Sequence, residues 1–303
     1  MSWHTGGRHA LRAAGWMASS IASFVLMAVA ARQLSTRMST MEILCLRSAV
    51  GLAVLLAIRG RLGPAAYVTH RLPLHIARNV VHFFGQYAWV YGIALAPLAL
   101  VTAIEFTTPV WVALLAAVLL GERIPPARWV AIGSGLAGVL IVARPGASAF
   151  DSAALIVLGG ALCFAAAIVT VKSLLRSDRV TAVVFYMNLI QLPMGLAGSW
   201  RVWVWPAWSD LPWAVAIGLT SLTAHYSMGR ALSLADASMV LPIDFLRLPC
   251  IALAALLIYG ERIDGWTMLG AAIICAGNYW SMRSEVIVRG RVRSGSVPEA
   301  AGS

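Results

Sequence analysis

Glu105 and Asp244 each stand about eight residues inside a long apolar run, and 139 positions separate them (244 − 105). A carboxylate in hydrocarbon is costly unless it is paired, protonated or used, so both are candidates for proton uptake and release. At 1.5 Å per residue they lie roughly 12 Å deep in their helices. Arg247 follows Asp244 at i,i+3 and stands about eleven residues into its run. That is too deep for snorkelling, which makes it the best-placed cation for an anion. The plainer reading is charge pairing, Asp244 with Arg247 and Glu105 with Arg47 or Arg78.

A second set of polar residues has helical spacing. Arg78, His82 and Gln86 fall at i, i+4 and i+8, with Asn79 beside them. Such a stripe on a membrane helix must face protein or water instead of lipid. Ser221 and His225 occupy the positions 139 residues after His82 and Gln86, and Tyr226 and Arg230 form another i,i+4 pair. Together these residues read as the lining of a cavity, although Arg78 and Arg230, near helix ends, have the option of snorkelling to headgroups.

The elements that position these groups come from a duplication. Residues 94–124, laid over 233–263, are identical at 12 of 31 positions, and both copies end in Gly-Glu-Arg-Ile: Gly121 and Glu122 in the first, Gly260 and Glu261 in the second. Mean hydropathy of +0.81, 60% hydrophobic residues and 12% charged residues exclude an ordinary soluble domain. Apolar runs long enough to cross a bilayer as helix recur at about 13–31, 40–58, 74–96, 98–120, 127–143, 153–171, 181–199, 213–232, 237–259 and 265–282. The fold class expected is an all-α polytopic membrane protein of ten transmembrane helices in two five-helix repeats. Five crossings per repeat require the second copy to enter from the opposite side, which is the inverted-repeat architecture of secondary transporters.

The expected organisation is an N-terminal cytoplasmic tail (1–12), a first repeat (13–145), a second repeat (151–282) and a basic, disordered cytoplasmic tail (283–303). Ala28-Val29-Ala30 looks like a signal-peptide cleavage site, but the run before it is long and the duplication needs it as the partner of 153–171. With both termini inside, 14 basic residues lie in inner segments and five in outer loops, as the positive-inside rule demands. The net charge of +11 is thus spread over short loops, which excludes a nucleic-acid-binding stripe. Trp200, Trp203, Trp205, Trp208 and Trp213 suit an interfacial belt.

Other residues read structurally. Glu42 has capping-box spacing from Ser39. Pro97, Pro109, Pro242 and Pro249 mark bends in the fourth and ninth spans. Gly133, Ser134, Gly135 and Gly138, with Gly270, Ala272, Ala276 and Gly277, form small faces for helix packing, within the chain or across a homodimer. Cys45, Cys163, Cys250 and Cys275 lack ligand spacing, so neither a metal nor a disulfide is expected. No HExxH, paired-aspartate or P-loop motif is present, which argues against a membrane-embedded enzyme and against intrinsic ATP coupling. A non-transporting sensor fits the duplication poorly.

The duplicated segments ending in Gly-Glu-Arg-Ile, each followed by a small-residue helix, resemble the drug/metabolite transporter superfamily, and within it the EamA family. The second copy departs from the first with Asp236 for Pro97 and Leu248 for Pro109. The resemblance implies a ten-helix secondary transporter of a bacterial inner membrane, without cofactor, taking a small molecule through a cavity between the halves. Export of an amino-acid-like or carboxylate-bearing metabolite, such as an opine-type metallophore, is the expectation, with nutrient import as the alternative.

Overall fold

The computed structural model describes residues 3–120, 126–143, 152–234, 243–262 and 264–293. The described residues fold as helices and turns: α1 Trp3–Leu34, α2 Thr40–Ala57, the single turn α3 Arg59–Leu62, α4 Leu72–Leu95, α5 Leu98–Glu105, α6 Thr108–Leu120, α7 Pro126–Ala143, α8 Ser152–Leu174, α9 Val180–Ser199, α10 Leu211–Leu234, α11 Arg247–Tyr259 and α12 Gly265–Arg293. The fourth span, expected at 98–120, is therefore two helices, α5 and α6. The segments 1–12 and 283–303 were expected as tails, yet α1 is helical from Trp3 and α12 continues to Arg293. Extending an existing helix needs no new nucleus, so the apolar runs carry their flanks with them.

The halves interlock. α1 packs on α10 and α4 on α8, while α2 packs on α9 and α7 on α12. Matching the repeats span for span makes the first two contacts equivalents of each other and leaves the last two self-paired. The chain thus has a two-fold arrangement, with α2, α9, α7 and α12 astride the axis.

Local chemistry sets several ends. Ser39 and Glu42 form the expected capping box, with the Ser39 N–H donating to Glu42 Oε2 at 2.8 Å, and Glu42 Oε1 also accepts from Val204 N–H. Trp200, Trp205 and Trp208 are exposed, as an interfacial belt requires. The small faces of α7 and α12 meet each other within the chain: a Cβ on Gly138 would touch the Gly270 carbonyl, and one on Gly277 would overlap Ser134.

At the opposite end from the tryptophans, the loop between α8 and α9 is tied to the start of α4. Asp178 accepts from Thr69 Oγ1 at 2.5 Å and from Ser177 Oγ at 2.8 Å, and pairs with His75 Nε2 at 2.7 Å. Burial pushes this carboxyl up, but the bonds from Thr69, His75 and Ser177 outweigh it and hold it below its usual range. A depressed carboxyl stabilises the fold above its unfolded pKa, so the contribution is full above about pH 4 and fades as pH falls through the lower folded value. Asp178→Asn is expected to lower the unfolding midpoint at pH 7 and to converge with wild type in acid. A difference that persists undiminished at low pH would place the effect elsewhere.

Candidate functional site

Among the described residues four helices are long and apolar enough, by length and composition, to cross a membrane: Leu11–Leu34, Thr40–Ala57, Ala153–Leu174 and Val180–Ser199. α4 and α10 have the length but carry the polar stripes. Each buries one face between neighbours, and the site is built from those faces together with the broken helices.

The break between α5 and α6 follows from Pro109. Lacking an N–H, it leaves the Glu105 carbonyl without its helical donor. Thr108 Oγ1 takes that carbonyl at 2.6 Å, Thr107 Oγ1 donates to Ile104 O at 2.7 Å, and Asn278 Nδ2 of α12 donates to Phe106 O at 3.0 Å. The second copy breaks at the same point even though Leu248 replaces Pro109. Pro249, one residue later, frees the Phe245 carbonyl, which accepts from Leu248 N–H at 3.2 Å in a tightened turn before α11.

These two breaks meet. Phe106 and Phe245, equivalent in the duplication, pack edge to face with centroids 5.4 Å apart. Glu105 and Asp244 flank them and converge on one cation: Arg247 Nη2 lies 2.9 Å from Glu105 Oε1 and 3.2 Å from Asp244 Oδ2. The guanidinium is 5% exposed and sits between rings, 4.8 Å from the Phe24 centroid and 5.1 Å from that of Phe106. Among the described residues Glu105 Oε2, Asp244 Oδ1 and Arg247 Nε are buried without hydrogen-bond partners. Residue 108, the first-repeat equivalent of Arg247, is threonine, so two duplicated acids share one unduplicated base.

The plainer reading of the sequence is half corrected here. Asp244 does contact Arg247, but Glu105 pairs with Arg247 and not with Arg47 or Arg78. The sequence could not show this, because the contact crosses between the repeats. Arg247 is accordingly no free anion receptor, since two carboxylates already hold it.

A second polar cluster lies between α2, α4, α9 and α10. Arg47 Nη2 donates to Gln191 Oε1 at 2.5 Å and Arg47 Nη1 to Ser221 Oγ at 3.2 Å. With its oxygen facing Arg47, the Gln191 amide must donate through Nε2, to Asn79 O at 3.2 Å and to His82 Nδ1 at 3.1 Å. His82 Nδ1 is therefore the acceptor, and its exchangeable proton sits on Nε2. His225 makes the opposite choice, donating from Nδ1 to Ser221 O at 2.8 Å, and the two rings meet edge on at 5.5 Å. Arg78 donates to Asn79 Oδ1 at 2.6 Å and is 6% exposed, so it does not snorkel. Gln86 is buried with Oε1 unpartnered. Tyr226 and Arg230 instead pack on Trp16 of α1, each about 6 Å from its ring (6.0 and 5.9 Å). Gln191 does not stand out in the sequence, where it is an amide on an apolar run with no ionisable residue beside it. The cost of a buried polar group in lipid was the signal that would have found it.

The repeat motif has a mechanical role in its second copy. Gly260 closes α11 in the left-handed region at φ 64°, where a side chain would be strained. Glu261 then turns back, accepting from Leu98 N–H at 3.0 Å at the start of α5 and pairing with Arg32, which also donates to the Ile93 and Ala96 carbonyls. Gly121 and Glu122 lie outside the described residues.

The EamA-like transporter family matches residues 11–144 and again 151–283. The chain belongs to that family. It is accordingly a multi-pass membrane transporter of the drug/metabolite transporter superfamily, handling a small molecule, and not an enzyme. A riboflavin transporter of Rhizobium johnstonii is 34% identical over 230 residues, 75% of each chain. An S-adenosylmethionine uptake transporter of Rickettsia bellii is 28% identical over 271 residues, covering 89% of this chain and 93% of its own. The pseudopaline exporter CntI of Pseudomonas aeruginosa is 27% identical over 257 residues, 83% of this chain and 89% of its own. A crystal structure 18% identical in sequence matches the fold with a TM-score of 0.67 over 91% of this chain and 98% of that one.

Proposed function

We propose that this EamA-family chain is a secondary transporter of a bacterial inner membrane, with ten crossings in two inverted repeats and both termini cytoplasmic. It moves an amino-acid-like or carboxylate-bearing metabolite by alternating access. The repeats are residues 13–145 and 151–282. The observation that carries this reading is the convergence of Glu105 and Asp244, one from each repeat and each at a helix break, on Arg247. Discontinuous helices at the centre of inverted repeats are where transporters hold cargo and coupling ions. With both acids ionised the centre carries one net negative charge, and one proton cancels it. A proton entering on one face and leaving on the other would couple the cycle to the proton gradient.

Export is the direction expected from the sequence. A second reading, uptake, is favoured by the Rickettsia relatives named for uptake. The test compares small-molecule content of cells and medium with and without the chain, and for cells making Glu105→Gln. We expect one metabolite to change compartment with the wild-type chain, and Glu105→Gln to slow its flux at least tenfold. Accumulation in the medium reads as export and depletion as uptake. A Glu105→Gln variant running at full rate would remove the acid centre from the mechanism.

A further inference from the structure

We propose that Arg47 and Arg78, set apart from the acid centre, form the seat of the cargo's anionic group, a carboxylate or a phosphate. This rests on the transporter reading above. Arg47 is 2% exposed and Arg78 6%, and among the described residues no carboxylate pairs with either. Their partners are neutral: Gln191, Ser48 and Ser221 for Arg47, and Asn79 for Arg78. Two guanidiniums linked through Gln191 and Asn79 are thus held out of water without a counter-charge among the described residues. That arrangement is unfavourable unless something negative completes it.

The unpartnered atoms point the same way. Among the described residues Arg47 Nε, Arg78 Nε and Asn79 Nδ2 are buried without a hydrogen-bond partner, and all three are donors. Buried donors left without acceptors call for a ligand rich in acceptors, and the flat guanidinium edge matches a carboxylate or phosphate face. Arg247 cannot serve, because Glu105 and Asp244 would repel the same anion. The division of labour is therefore electrostatic: a net-negative centre at the broken helices and a net-positive one between α2, α4, α9 and α10. The positive centre is also asymmetric. At the 139-residue offset, Tyr186 and Ile217 stand for Arg47 and Arg78, so the second repeat offers no copy of it.

The experiment measures melting temperature of the purified full-length protein in detergent against acetate, succinate and inorganic phosphate, with sodium chloride of equal ionic strength as reference and riboflavin as a neutral probe. We expect at least one anion to stabilise wild type saturably, with affinity at least tenfold weaker in Arg47→Gln and Arg78→Gln and unchanged in Arg37→Gln, whose half-exposed guanidinium lies 3.5 Å from Asp210. Protection by succinate or acetate assigns a carboxylate cargo, and protection by phosphate alone assigns a phosphorylated one. Without anion, Arg47→Gln should melt no lower than wild type, since a lone buried charge has been removed. A lower melting point would mark Arg47 as a structural bond to α9 and overturn the proposal. So would an absence of anion protection in wild type, or protection that survives in both arginine variants. Loss of gradient coupling in Glu105→Gln without anion protection in wild type would sink this inference alone. Protection in wild type with a fully active Glu105→Gln would sink only the acid-centre reading.

Discussion

Arg247→Ala should destabilise the fold by about 3–5 kcal/mol, the usual cost of removing one partner from a buried ion pair. The cation holds Glu105 at 2.9 Å and Asp244 at 3.2 Å, and without it two like charges remain together out of water. The loss should show in reversible unfolding in mixed micelles, and transport should vanish with it. Arg247→Ala combined with Glu105→Gln and Asp244→Asn removes the orphaned charges as well, and should regain most of the stability but none of the gradient coupling. If the single variant unfolds like wild type, the three groups do not form one electrostatic unit.

Gly195→Ala is the second large expected effect. A Cβ built on Gly195 would lie 2.8 Å from Cys45 N and 2.9 Å from Cys45 Cα. Those are backbone atoms, so no side chain can rotate away and α9 must move off α2. Overpacking of this kind costs about 1–3 kcal/mol. One turn before Gly195, Gln191 reaches Arg47 on the facing helix, so the displacement should break that 2.5 Å bond as well. Both the unfolding midpoint and the transport rate should drop. A variant with native stability would mean that the two helices have slack.

The duplication made the acid centre half legible in advance. Glu105 and Asp244 stood out because equal positions in two copies both carried an acid, and the bends were signalled by Pro109 and Pro249. Their meeting on Arg247 was not legible, because it depends on how the copies face each other across the axis. The stripe on α4 was visible from its spacing, but its organiser, Gln191, lies on α9 in a run that reads as lipid-compatible. The tie of Asp178 to His75 and Thr69 links a loop to a helix start over a hundred positions away, and no periodicity announces such a contact. The extension of α12 to Arg293 shows the reverse problem: charge and glycine suggested a tail, while the helix before it had already met the cost of nucleation.

Phe106 and Phe245 meet at an interplanar angle of 85°, and that has a consequence of its own. Two residues related by duplication and packed perpendicular cannot be equivalent: one offers its edge and the other its face. Arg247 lies 5.1 Å from the Phe106 centroid and its first-repeat equivalent is Thr108, so the two rings also sit in different electrostatic surroundings. A parallel stack at the axis would have a single resting geometry. A perpendicular one is handed, so the hub of a duplicated molecule carries a built-in polarity.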